Sequence, residues 1–201
     1  MLFQTAKEED LLQMKRVSKV KIMVFAAVLI AMNIVLSRIL SISIGPTLRI
    51  TVSQTPMYLA GFWFGPVVGG LCGFLGDLIG SLLQGYAPNP FISISAILTG
   101  ALPGIAAWLF KKSIGLPQIL GITILNGLVG SLGFTCIGLH FYYGTPWVVL
   151  YSTRIIQTVL LTAVNTVLVL LLYKSPLTAY LKKSMSMGII QERQMPQSHV
   201  K

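Results

Sequence analysis

The sequence predicts an all-α polytopic membrane protein, a bundle of six transmembrane helices, and three observations predict it. Apolar residues make up 54% of the 201-residue chain and charged residues only 10%, against about a quarter charged in soluble domains. The charges are also segregated. Between Leu40 and Phe110 the Lys, Arg, Asp and Glu residues are Arg49 and Asp77 alone, and between Ser113 and Tyr173 there is only Arg154. Finally, the apolar stretches approach the ~20 residues that span a bilayer and are separated by little but Gly- and Pro-containing turns.

The elements follow in order. Residues 1–21 read as a polar, Lys-rich cytoplasmic tail, with the character of an interfacial helix. Residues 22–173 form the six-helix membrane domain and 174–201 a cytoplasmic C-terminal tail. Helix 1 is expected over about 22–40. The segment 41–50, with Gly45-Pro46, reads as a loop. A short helix 2 over 51–64 is broken by Gly65-Pro66, and helix 3 follows over 67–83. Gly85, Pro88 and Pro90 mark a turn at 84–90 before helix 4 at 91–110. Gly115-Leu116-Pro117 precedes helix 5 at 118–143, and Gly144-Thr145-Pro146 separates it from helix 6 at 147–173.

The net charge of +10 is explained without nucleic acid as a partner. Lys7, Lys15, Arg16, Lys19 and Lys21, the Lys111-Lys112 pair, and Lys174, Lys182, Lys183, Arg193 and Lys201 all fall on one side of a six-span chain. Basic residues favour the cytoplasmic side, so both tails are expected there. The N-terminus lacks a cleavable signal pattern. Cys72 and Cys136 lie within apolar segments and suggest neither a disulfide nor a metal site. The chain shows no Walker A, H-E-x-x-H or nucleophile-elbow pattern, which leaves catalysis without a motif and implies no cofactor.

Several polar residues interrupt the apolar spans. Asp77 is the only acid within them. A charge near the bilayer centre costs about 2.5–3.5 kcal/mol on insertion scales, so Asp77 is expected to face the interior. Two readings stand for it: a ligand contact that accepts hydrogen bonds from an amidine-like edge, or a structural bond to a neighbouring helix or to Arg49. Arg154 lies about two turns into helix 6, with Thr158 and Asn165 on one face and Gln157 beside it. Such an Arg calls for an anionic partner, either Asp77 or a ligand; the alternative is snorkelling to the outer interface, against which its polar neighbours argue. Ser95 and Thr99 on helix 4, and Asn126 and His140 on helix 5, complete a set suggesting a polar cavity among helices 4, 5 and 6. Gly65, Gly69, Gly73, Gly76 and Gly80 share one broad face, expected to pack closely against neighbouring helices. Ala27 and Ala31 form a small-xxx-small pair on helix 1, suited to internal packing or to a partner.

The stretch Pro56-Met57-Tyr58-Leu59-Ala60-Gly61-Phe62-Trp63-Phe64-Gly65-Pro66-Val67-Val68-Gly69-Gly70, continued by Gly76-Asp77-Leu78-Ile79-Gly80, resembles the substrate-binding (S) components of energy-coupling-factor (ECF) transporters. Ser93-Ile94-Ser95-Ala96-Ile97-Leu98-Thr99-Gly100, Arg154-Ile155-Ile156-Gln157 and Asn165-Thr166 resemble its folate-specific branch. Ile92-Ser93-Ile94 departs from the aromatic or Thr expected there. The resemblance covers about residues 20–175. It implies a cell-membrane protein that binds folate from outside, without enzymatic activity, together with a transmembrane T subunit and two cytoplasmic ATPases. It implies docking of the T subunit on Ala27 and Ala31. The substrate contacts to be expected are Arg49, Asp77, Tyr86, Asn89, Ser95, Asn126, Trp147, Arg154 and Gln157. Asp77, Asn126 or Gln157 would read the pterin edge, Arg49 and Arg154 would neutralise carboxylates, and Tyr86, Tyr142, Tyr143 and Trp147 would stack on rings. An S component for another vitamin, pantothenate or a pyridoxine-type compound, is the first alternative. A membrane-embedded enzyme is a second, and it lacks a nucleophile–base pair. A purely structural membrane protein is a third, against which Asp77 and Arg154 argue.

Overall fold

The computed structural model describes residues 2–39, 41–44, 48–85, 87–110, 114–176, 178 and 180, with backbone alone at 2–19, 42–44, 48–50 and 143. Helix α1 runs unbroken over Leu2–Arg38, so the expected tail and first span are one rod about 55 Å long at 1.5 Å per residue. The expected loop at 41–50 contains a small antiparallel hairpin instead, β1 (Ile42–Ile44) and β2 (Leu48–Ile50), with Ser43 opposite Arg49. Its period-two pattern is real, with Ile42, Ile44, Leu48 and Ile50 alternating with Ser43 and Arg49. It is only three residues long on each side, and an apolar background hides it.

Helix α2 (Gln54–Phe64) has 11 residues and is the shortest of the six rods among the described residues, shorter than a lone lipid-facing span. It is a core element, buried from Thr55 to Phe62. Among the described residues, five helical stretches are long and apolar enough to span by length and composition: Val20–Arg38, Pro66–Leu83, Pro90–Leu109, Leu116–Tyr142 and Trp147–Lys174. They correspond to α1, α3 (Pro66–Leu83), α4 (Pro90–Leu109), the composite fifth rod and α7 (Trp147–Lys174). The fifth rod is α5 (Leu116–Asn126), a π-helical stretch at Gly127–Thr135, and α6 (Cys136–Tyr143). The sequence predicted a helix there; hydropathy has no means of distinguishing i→i+5 from i→i+4 pairing.

The chain turns between α2 and α3 at Gly65, whose φ of 89° suits a residue without a side chain. Pro66 then starts α3, where its missing N–H is harmless. Around this corner the backbones touch. A Cβ placed on Gly100 would lie 1.9 Å from the Gly69 carbonyl oxygen, one on Gly61 2.2 Å from that of Gly100, and one on Gly104 2.3 Å from the Pro66 nitrogen. The glycine face of α3 therefore serves two neighbours. Gly69 and Gly73 meet α4, whereas Gly76 and Gly80 lie beneath Asn33 and Arg38 of α1.

Two apolar clusters flank this seam. Tyr58, Phe62, Ala106, Ile119, Ile122 and Val169 join α2, α4, α5 and α7. Leu29, Met57, Ala60 and Cys72 join α1, α2 and α3. Large apolar side chains also cover the outside of the bundle, Val67, Phe141 and Val148 among them. Such a surface belongs against lipid tails.

The seam yields a stability prediction. Gly100→Ala drives a methyl into the α3 backbone, where no side chain can give way. It is expected to lower the melting temperature in detergent, at the level of the ~1–3 kcal/mol typical of overpacking or beyond. Gly121 is an exposed α5 position with nothing within 4 Å of an added methyl. Gly121→Ala should raise the melting temperature, through a helix-propensity gain of about 0.8–1 kcal/mol. Equal effects of the two substitutions would refute the seam.

Candidate functional site: a polar cavity between the first four helices

Asp77 is on α3, and its position is set by the start of α4. Asn89 caps α4 by accepting a hydrogen bond from the Phe91 N–H at 3.1 Å, and its amide donates to the Gly138 carbonyl at 3.0 Å. That ties the α4 N-terminus to α6. One turn on, the Ser93 hydroxyl donates to Asp77 Oδ2 at 2.8 Å. Among the described residues no hydrogen bond reaches Oδ1.

Asp77 lines a cavity of about 220 Å³ walled by α1, α2, α3, α4 and the π-helical stretch. From α1 come Asn33, Ser37 and Arg38, from α2 Gln54 and Met57, from α4 Ser95 and Thr99. Asn33 is held by donating to the Ser53 carbonyl at 2.6 Å. Arg38 Nη1 donates to Gln84 Oε1 across the ends of α1 and α3, and Arg38 is in electrostatic reach of Asp77. Thr135 of the π-helical stretch donates to Ser95 Oγ at 3.2 Å.

Behind this lining runs a chain of buried polar groups. Thr99 donates to Asn126 Oδ1 at 3.2 Å, and Asn126 donates to the Tyr58 hydroxyl at 2.8 Å. Thr55 donates to Asn165 Oδ1 at 2.8 Å, and Thr123 and Thr166 share a bond of 2.8 Å. Unpaired polar groups are expensive away from water, and these contacts satisfy residues from α2, α4, α5 and α7 against one another.

The residues singled out in the sequence are thus distributed unevenly. Asp77 and Ser95 line the cavity, and Asn126 sits one bond behind it. Asn89 is buried and engaged with backbone. Gln157 is buried on α7, and partly buried Arg154 stands near Cys136 of α6. Of the two partners weighed for Arg154, Asp77 is not the one it has in the structure, where Ser93 and Arg38 attend the acid. Trp147 stacks on His140 (centroids 4.2 Å apart) and on Tyr151 (5.8 Å). Tyr86 and the side chains of Arg49 and Tyr143 lie outside the described residues. Ala27 and Ala31 are both exposed on α1.

Sequence reasoning missed the α1 wall. Asn33, Ser37 and Arg38 were readable by the i, i+4 logic that selected Ser95 and Thr99, because they are polar residues on one side of an apolar helix. Gln54 was missed because it sits at a helix start, where polar residues are ordinary.

A family model described as the S component of the ECF-type riboflavin transporter matches residues 17–179. The chain belongs to this S-component family. Among its relatives is the folate transporter FolT of Clostridium novyi (strain NT), 27% identical over 153 residues, covering 75% of this S component and 87% of that protein. The crystal structure of FolT bound with folic acid matches with a TM-score of 0.64 and 26% identity, covering 73% of this chain and 89% of that one. A structure reported for the S component of a bacterial ECF transporter matches with a TM-score of 0.61 and 25% identity, covering 82% and 99%. ThiT from Listeria monocytogenes shares the fold, with a TM-score of 0.54 and 22% identity over 79% and 96% of the two chains.

Proposed function

We propose that this S component captures folate from outside the cell and delivers it inward, powered by a T subunit and two cytoplasmic ATPases. The observation that carries the reading is Asp77, an acid inside a membrane bundle, held by Ser93 at Oδ2 and lining a polar cavity. A carboxylate there can accept two hydrogen bonds from the donor-rich edge of a pterin. The kinship with FolT and with its folic-acid complex supports the vitamin assignment.

The cavity is smaller than the ~300–1,000 Å³ of typical small-molecule sites, which suits one ring system of a longer ligand. In this reading the pterin lies against Asp77 and Ser95, with Asn126 behind, and the aminobenzoyl-glutamate extends towards the hairpin. There β2 packs against α7, and Arg49, Tyr86, Asn89, Trp147, Arg154 and Gln157 make up the rest of the site. Arg49 and Arg154 offset the ligand's carboxylates. The protein acts as a binding subunit, with no phosphate-binding loop of its own and no chemistry to perform.

A second reading, riboflavin, rests on the family model's description. Riboflavin lacks carboxylates, so it gives the arginines nothing to neutralise. The test is binding of folic acid and riboflavin to protein stripped of ligand in detergent. Folic acid should bind far more tightly. Asp77→Asn and Arg154→Ala should each weaken it by roughly ten- to a hundredfold, the loss of one charge-assisted hydrogen bond of about 1.5–3 kcal/mol. Tighter binding of riboflavin, or folded variants that bind folic acid as the parent does, would overturn the assignment.

The excess of Lys and Arg on the side of the two tails supports a cytoplasmic placement of both. With Cys72 and Cys136 replaced, cysteines introduced at Ser43 and at Lys112 should react with an impermeant thiol reagent from opposite sides. Reaction of both from outside would refute this orientation.

The exposure of Ala27 and Ala31 supports α1 as the T-subunit docking face, since small side chains let helices approach closely. Replacing both with Leu should abolish folate uptake in cells while leaving folate binding to the purified protein within about twofold, a difference under 1 kcal/mol. Parallel loss of binding would show that these alanines serve the protein's own packing.

A further inference from the structure

Arg38 ends α1 and turns back across α3. Gly80 lies one turn on from Asp77, on the same face. A Cβ at Gly80 would meet Arg38 Nη2 at 2.7 Å and Nε at 3.0 Å, so the guanidinium lies against bare backbone. Its Nη1 is spoken for by Gln84, which sets the rotation of the planar fork. Ser93 sets the carboxylate of Asp77 in the same way. Both residues line the same cavity. The site therefore presents a group that only accepts hydrogen bonds beside a group that only donates them.

We propose that Arg38 is a specificity-determining residue of this site, selecting ligands whose hydrogen-bond donors for Asp77 adjoin an acceptor oxygen for the guanidinium. The inference rests on the folate reading and refines it. The 2-amino-4-oxo edge of a pterin has this pattern, with an amino group and a ring N–H next to a carbonyl oxygen. The 4-amino analogue puts an N–H donor where the oxygen stood. Two donors then face each other, and a planar Arg has no lone pair with which to adapt. Asp77 also loses a donor in the 4-amino form, whose ring nitrogen between the two amino groups carries no proton, so the change in the ratio when Arg38 is altered, and not the ratio of the parent, separates this role from that of a mere counter-ion.

The experiment measures affinities of folic acid and its 4-amino analogue for the purified full-length protein, in the parent and in three variants. The parent should prefer the 4-oxo form by roughly ten- to a hundredfold, the range of one charge-assisted hydrogen bond. Arg38→Gln offers an oxygen to the 4-amino group, so the ratio should collapse or invert. Arg38→Lys keeps a donor and should retain most of the preference. Gly80→Ala displaces the flexible end of Arg38 without touching backbone, and should narrow the ratio with the Arg still present; it serves as the test if Arg38→Gln does not fold. A parent that does not discriminate overturns the proposal. So do Arg38→Gln or Gly80→Ala variants that weaken both ligands by one factor at an unchanged ratio. A parent that binds neither compound refutes the folate reading itself and this inference with it.

Discussion

Contact between the backbones of α3 and α4 at Gly69 and Gly100 is the constraint around which the bundle is arranged. In a bilayer no water is gained by bringing helices together, so association relies on close packing and hydrogen bonds. A side chain at either position would hold the helices apart, because the opposing atom is a carbonyl oxygen at 1.9–2.3 Å from the added carbon. Gly61 and Gly104 extend the same contact to α2 and to the turn at Gly65-Pro66. That contact places the first turn of α4 so that Ser93 reaches Asp77 at 2.8 Å. The site's geometry is thus inherited from a seam that carries no polar side chain.

The same helix face changes role along its length. Gly69 and Gly73 admit backbone from α4, whereas Gly76 and Gly80 admit the polar ends of Asn33 and Arg38. Small residues let α3 hold a dry contact at one end and a polar cavity at the other. Around the cavity the polar groups are tied in chains: Thr135 to Ser95, Thr99 to Asn126, Asn126 to Tyr58. Each of these would be costly alone in an apolar interior, and together they specify the register of α2, α4 and the fifth rod against one another.

Much of the architecture was legible from hydropathy and punctuation. Gly65-Pro66, Gly144-Thr145-Pro146 and the Pro-rich turn before α4 end helices for reasons local to those residues, and they marked the boundaries well. The hairpin was invisible because strands of three residues leave little periodic signal, and the π-helical stretch because its composition is that of any apolar helix. The polar cavity was anticipated, but its walls were not. Spacing along one helix shows which residues share a face; it does not show which helix that face meets. The cavity expected among helices 4, 5 and 6 is walled instead by α1 to α4 and the π-helical stretch, so Asp77 and Ser95 share it with Asn33, Ser37 and Arg38, which were overlooked. Asp77 was one of two partners weighed for Arg154, the other being a ligand; the register of α7 sets Arg154 beside Cys136.

Helix α1 is where these threads meet. Only 6% of the Val20–Arg38 stretch is buried, so this helix is held along a narrow strip: Leu29 with Ala26 and Ile30 against α2 and α3, then Asn33 on Ser53, the Leu36 carbonyl on Thr51, and Arg38 on Gln84. The strip is apolar in its middle and polar towards Arg38, where it closes the cavity. With Leu29 as its one fully buried residue among those described in this stretch, α1 relies on its polar contacts as well as on that apolar strip. In the proposed function, the cavity side of α1 bears on ligand while the exposed side, with Ala27 and Ala31, bears on the T subunit. Any tilt of α1 that improves contact on one side must alter the distance of Asn33 and Arg38 from α3 on the other. Ligand binding and docking would then be linked through a single rigid element, and no relay through the core is required to connect them.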